Sequence, residues 1–169
     1  MTDDRPYEKA LKRAYRLLAY RGRSVPELRT RLWQAGFNED VAERVVERLR
    51  TQGYLDDETF ARDWARNCAA SKLWGDRKIA LSLKEKGVGE ETIAVAIEAA
   101  RREIDERTAM KKLLAKGRRA WGRGGGASEA LSMKEKARIY RNLLGRGFDP
   151  GRIHDVLGAM EEEFIDDRE

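Results

Sequence analysis

The chain has 169 residues, 35 of them Lys or Arg and 30 Asp or Glu, so 38% are charged against about 25% in an ordinary soluble domain. No apolar run approaches the roughly 20 residues of a membrane helix, and the acidic start Thr2, Asp3, Asp4 is unlike a secretory leader, so a cytoplasmic protein without membrane association is expected. One cysteine, Cys68, and one histidine, His154, exclude an internal disulfide and a Cys/His zinc site, while a net charge of +5 permits an anionic partner without requiring one.

In chain order, Tyr7, Leu11, Ala14 and Leu18 recur at steps of three and four, which places them on one face of a helix over about 6–20. Ser24, Val25, Pro26, Glu27 reads as a capping box with proline in the first turn, so a second helix runs to about Ala35 and stops at Gly36. Asn38 can cap a third helix, with Val41, Val45, Val46 and Leu49 as its buried stripe and Gly53 as its stop. Alternating strand patterns are absent, so the expected fold class is all-α.

Aligning the chain on Gly36, Gly87 and Gly147 exposes an internal repeat. Leu28, Ile79 and Ile139 stand eight residues before these glycines, and Leu32, Leu83 and Leu143 four before. Phe37, Val88 and Phe148 follow immediately; then come the cap positions Asn38, Gly89 and Asp149. Ala42, Ile93 and Ile153 follow at six, and Val46, Ile97 and Leu157 at ten. Each unit therefore reads as helix, glycine turn, capped helix, preceded by one further helix at about 6–20, 57–72 and 104–119. Three tandem three-helix repeats are predicted, over 1–54, 55–104 and 105–169, the third carrying a Gly-rich insertion near 122–128. Stacked repeats bury their apolar faces against neighbours, so an elongated, curved array is expected, with one compact bundle as the alternative.

The repeats carry net charges of +4, −1 and +2. Lys9, Lys12, Arg13 and Arg16 share a helix face, followed by Arg21, Arg23, Arg29 and Arg31; a second basic segment runs from Arg107 to Arg123. Such runs are either phosphate or acidic-surface contacts or ordinary solvated faces. Trp121, between Arg119 and Arg123, could stack on a base or merely anchor its helix end. Asp56, Asp57 and Glu58 lie where a helix should start, and capping explains them better than metal binding or acid–base chemistry. No catalytic constellation, metal site or cofactor motif is present, so no enzymatic activity is expected.

The stretch Leu55, Asp56, Asp57, Glu58, Thr59, Phe60, Ala61 resembles the most recognisable motif of the RecX family of recombination regulators. Arg21–Leu32, Gly75–Val88 and Arg146–Asp149 resemble the family's signatures in the first, second and third repeats, and the Gly-rich insertion departs from its usual pattern. The resemblance implies a cytoplasmic bacterial protein, not an enzyme, that needs no cofactor. It implies binding to the RecA recombinase and its filaments on single-stranded DNA, within the filament groove, and modulation, usually inhibition, of RecA's ATPase, coprotease and strand-exchange activities in DNA repair and the SOS response. On that reading the partner and DNA contacts are expected at Arg21, Arg23, Arg29 and Arg31, at Lys72, Arg77 and Lys78, and at Arg118, Arg119 and Arg123, in an electrostatic role. Leu55, Phe60, Ala61, Gly75 and Gly87 are assigned to the fold, and a monomer is expected. The rival reading is a helical protein that binds nucleic acid directly, without RecA. Its candidate recognition helix, 39–52, carries Glu39, Asp40, Glu43 and Glu47, which argues against a major-groove reader.

Overall fold

A computed structural model describes residues 4–121 and 132–166, with side chains over 4–116 and 132–159. Among the described residues there are nine α-helices and no strand: α1 (Arg5–Tyr20), α2 (Val25–Gln34), α3 (Glu39–Thr51), α4 (Asp57–Ala70), α5 (Asp76–Lys84), α6 (Glu90–Glu103), α7 (Glu106–Trp121), α8 (Met133–Gly145) and α9 (Pro150–Asp166). The all-α repeat fold is as expected, and the Gly-rich 122–128 stretch lies outside the described residues.

The repeat register is also the burial register. Leu28, Ile79, Ile139, Leu32, Leu83, Leu143, Val88, Phe148, Ala42, Ile93 and Ile153 are all buried, and Phe37, Ile97 and Leu157 are half-buried. Gly36, Gly53, Gly87 and Gly147 all have φ between 74° and 87°, the left-handed region in which only glycine is unstrained. After each of the three aligned turns an amide folds back to the leucine four residues before the glycine: Phe37 to Leu32 and Val88 to Leu83 at 3.2 Å, Phe148 to Leu143 at 3.3 Å.

Two compact units result. The first comprises Met1–Trp64 with Ser82–Ala96, the second Ala65–Leu81 with Ile97–Glu169. The first has its core among Ala10, Leu11, Ala14, Leu28, Leu32, Val45, Val46 and Leu49, closed by Leu55. The second is centred on buried Ile79, Met110, Ile139, Leu143, Phe148 and Ile153. Cys68 is buried and His154 is exposed.

Two local expectations need correction. The α2 capping box forms only by half: Ser24 Oγ accepts the Glu27 amide at 3.2 Å, but the Glu27 carboxylate turns to Arg21 and Arg23. A guanidinium competes better for a carboxylate than a neutral amide does. A complete box forms at α8, where the Ser132 and Glu135 side chains each accept the other's amide. The third repeat's first helix begins at Glu106 rather than near Ile104, because Asp105 caps it by accepting the Thr108 amide at 2.9 Å.

Capping and pairing hold five carboxyls below their ordinary range. The Thr59 hydroxyl lowers Asp56, the Thr108 hydroxyl and amide lower Asp105, Ser132 lowers Glu135 and Arg29 lowers Glu43. At Glu27 burial pushes the carboxyl up, but the Arg21 hydrogen bond and the charges of Arg21, Arg23 and Lys86 bring it below normal. Lowered folded values mean that the unfolded chain binds protons first as pH falls. The stabilisation is therefore complete above about pH 4.5 and is lost as pH drops through the folded values. Urea midpoints are expected to be flat from pH 7 to 5 and to fall steadily below 4.

Candidate partner and nucleic-acid interface

Several residues of the family-like motif at the start of α4 are held by contacts within the first unit. Leu55 is 3% exposed and Ala61 fully buried, while Phe60 stacks on Trp64 with centroids 5.8 Å apart. Asp56 caps α4, accepting the Glu58 amide at 3.0 Å. Asp57 does something its sequence position does not reveal: its Oδ1 accepts the Val25 amide at 2.7 Å and so caps α2 of the preceding repeat. Leu55→Ala should cost about 2 kcal/mol, read as a shift of the denaturant midpoint. An unchanged midpoint with abolished regulatory activity would instead make Leu55 a contact residue.

The second unit repeats this arrangement. Position 25 corresponds to 76 in the glycine register, and the Asp76 amide donates to Oε1 of Glu106, the first residue of α7, at 2.8 Å. Glu106 is 3% exposed, and its Oε2 accepts Arg152 at 2.7 Å. Beside each such cap the next turn glycine closes in. An added Cβ at Gly87 would lie 2.6 Å from the Pro26 Cβ, and one at Gly147 2.4 Å from the Lys78 nitrogen. Ser24 Oγ donates to the Lys86 carbonyl, and the Gly75 amide donates to the Arg146 carbonyl at 2.9 Å.

The basic residues singled out from the sequence fall into different surroundings. Arg23 is only 8% exposed, its Nη1 2.6 Å from Glu27 and its Nε donating to the Leu17 carbonyl. Burial and Arg21 lower its pKa, while Glu27 supports its charge. Arg21 pairs with the same carboxylate, and Arg29 pairs with Glu43 through two hydrogen bonds. These three guanidiniums are committed to contacts within the first unit, whereas Arg31 is exposed and donates to Gln34 at 3.3 Å. In the second unit Arg77 pairs with Asp149 at 2.6 Å, both well exposed. Lys72 and Lys78 place their ammonium groups 4.6 and 4.8 Å from the centroid of Trp74. Arg118 and Arg119 lie on α7, but their side chains, and all of Arg123, fall outside the described residues.

Sequence reasoning passed over Trp74, Lys86 and Arg146. A signal was available: Lys86 and Arg146 both directly precede a turn glycine, and Trp74 directly precedes Gly75, the close-approach position. No group of three or more His, Cys, Asp or Glu among the described residues is placed to hold a metal ion, and no helix there is long and apolar enough to cross a membrane.

Known proteins share this pattern. The RecX first three-helix domain matches residues 10–49 and the RecX second three-helix domain residues 56–97. Regulatory protein RecX of Mycolicibacterium smegmatis is 34% identical over 166 residues, covering 96% of this chain and 83% of that protein. Its namesake in Thermotoga petrophila is 38% identical over 154 residues, covering 91% and 86%. The crystal structure of RecX from Lactobacillus salivarius superposes with a TM-score of 0.74 over 92% of this chain and 97% of that one; at 18% identity it bears on the fold alone. With both three-helix domains matched and the likeness to its relatives running nearly end to end, the chain belongs to the RecX family of regulatory proteins.

Proposed function

We propose that the chain regulates homologous recombination and DNA repair by binding the RecA recombinase and its filaments on single-stranded DNA, inhibiting ATP hydrolysis, coprotease action and strand exchange. The observation that carries this reading is the near full-length correspondence with proteins named regulatory protein RecX. On this reading the chain works in the cytoplasm as a monomer, as a binding protein and not as an enzyme. Its three repeats, 1–54, 55–104 and 105–169, each supply a modest contact. Contacts joined on one chain act at high effective concentration, so weak individual surfaces suffice for a filament of repeating subunits. The exposed cations Arg31, Lys72 and Arg77, with Arg118, Arg119 and Arg123, would assist electrostatically; Arg21, Arg23 and Arg29 would serve the fold instead.

The rival reading, direct nucleic-acid recognition through α3, is disfavoured by what α3's side chains do. Arg44 lies over the Tyr7 ring at 4.7 Å and 3.3 Å from Asp4, Arg48 donates to the Tyr7 hydroxyl, and Glu43 holds Arg29. The discriminating experiment titrates the chain into RecA on single-stranded DNA and follows ATP hydrolysis, with naked DNA binding measured in parallel over a salt series. Inhibition at concentrations that leave naked DNA unbound is the expected result. Tight, steeply salt-dependent DNA binding with no effect on RecA would overturn it.

A further inference from the structure

Placed in the glycine register, the two repeat junctions have equivalent corners that differ in chemistry. Positions 21, 23 and 27 correspond to 72, 74 and 78, and position 86 corresponds to 146. The first corner holds Arg21, Arg23, Glu27 and Lys86; the second holds Lys72, Trp74, Lys78 and Arg146. Each rests on a join at an equivalent carbonyl: the Ser24 hydroxyl donates to the Lys86 carbonyl in one, and the Gly75 amide to the Arg146 carbonyl in the other.

The first corner has an acid at its centre. Glu27 takes Arg21 on both its oxygens and Arg23 on one, so the cations there are answered internally. In the second corner a lysine takes the place of that acid. Lys78 and Lys72 both reach the Trp74 ring, Lys78 also donates to the Gly145 carbonyl at 3.2 Å, and Arg146 donates to the Lys72 carbonyl at 3.1 Å and to Asn142 at 3.3 Å. Lys72 is exposed, and Trp74, Lys78 and Arg146 are half-buried, so the group opens to solvent at one side. Lys72 and Lys78 both stand over one indole, with Arg146 bonded to the Lys72 carbonyl beside them, and a gathering of like charge of this kind draws an anion. A flat aromatic between them adds a surface on which a base can stack, which an acidic protein face does not use.

We propose that the Lys72–Trp74–Lys78–Arg146 corner is a binding site for single-stranded nucleic acid, with backbone phosphate held by Lys78 and Arg146 and a base stacked on Trp74 in place of a lysine head. The inference deepens the function proposed above, since a chain acting on RecA–DNA filaments meets such a strand, and it assigns that contact to the second junction and not the first.

The test uses the full chain without RecA and a fluorescein-labelled oligo-dT, followed by anisotropy across a salt series. Wild type should bind at low salt. Lys78→Glu, which transplants the acid of the first corner, should weaken binding at least tenfold and flatten the salt dependence by about 0.7 in log–log slope for each phosphate no longer neutralised. Lys84→Glu, an equal charge change at an exposed lysine paired with Glu90, should change affinity less than twofold. Lys72→Glu, at an exposed position, gives a second variant should Lys78→Glu unfold, and should weaken binding at least fivefold. Trp74→Phe should retain binding while removing most of the tryptophan quenching that dT produces. Equal weakening in Lys78→Glu and Lys84→Glu, no dT binding by wild type, or binding competed by poly-glutamate but unaffected by these variants would each overturn the site. Loss of dT binding in Lys78→Glu, with RecA hydrolysis unaffected by wild type, would keep the corner and sink the filament reading; the opposite outcome would keep the filament reading and sink the corner.

Discussion

Replacing Gly75 with alanine is expected to destabilise the second unit by about 3 to 5 kcal/mol. Gly75 is buried, and its ideal Cβ would sit 2.3 Å from the Gly147 carbonyl oxygen and 2.4 Å from both the Gly147 carbonyl carbon and the Phe148 nitrogen. All three are backbone atoms, so no rotamer change relieves the overlap. The join itself would have to part, and with it the Gly75 to Arg146 hydrogen bond at 2.9 Å and the Arg77 to Gly147 bond at 3.2 Å. Hydrogen exchange should show weakened protection around 76–79 and 146–148 and full protection in α1–α3. Gly145→Ala provides the control of opposite sign. That glycine is the last residue of α8, and a Cβ there meets nothing within 4 Å. Alanine's better helix propensity should stabilise by up to about 0.5 kcal/mol. Equal midpoints for Gly75→Ala and wild type would mean that the two turns do not pack as described.

Glu106→Ala carries the second large effect, about 3 kcal/mol. Its carboxylate is almost fully buried and satisfies the first amide of α5 with one oxygen and Arg152 with the other, while Arg101 stands 3.9 Å away. Removing it leaves an orphan amide and faces Arg101, 13% exposed in its side chain, with Asp76 as its only nearby carboxylate among the described residues. Glu106→Gln should recover roughly half of the loss, because its amide oxygen can still cap Asp76. Asp57→Ala, at the equivalent cap of the first unit, should cost only about 1 kcal/mol, because Asp57 holds one amide at a half-buried position. Urea midpoints across the three variants check the ordering, and a larger loss at Asp57 than at Glu106 would contradict it.

The helices and their stops were legible in sequence because they rest on local rules. Glycine at a left-handed turn, an apolar residue eight and four before it and one just after it recur with their spacing intact, and the structure buries all of those positions except Phe37, which is half-buried. Side-chain partnership was not legible. The spacing of Ser24 and Glu27 names a capping box, yet Glu27 is taken by Arg21 and Arg23, whose distance from it depends on how the chain enters α2. Asp57 stands where a residue should cap its own helix and instead caps one 32 positions earlier, a pairing that exists only once repeats are stacked. The same distinction sorts the basic residues. Counting charge grouped Arg21, Arg23 and Arg29 with Lys72 and Lys78, whereas the fold commits the first three to carboxylates and gathers the last two on an indole.

The most direct test of the account is equilibrium binding of the fluorescently labelled chain to RecA filaments assembled on single-stranded DNA, beside free RecA and the same DNA alone, at physiological salt. Binding to the filament is expected at concentrations at least tenfold below those needed for the bare strand, with ATP hydrolysis falling in step with occupancy. Equal affinity for filament and bare strand, or filament binding that leaves hydrolysis unchanged at saturation, would contradict it.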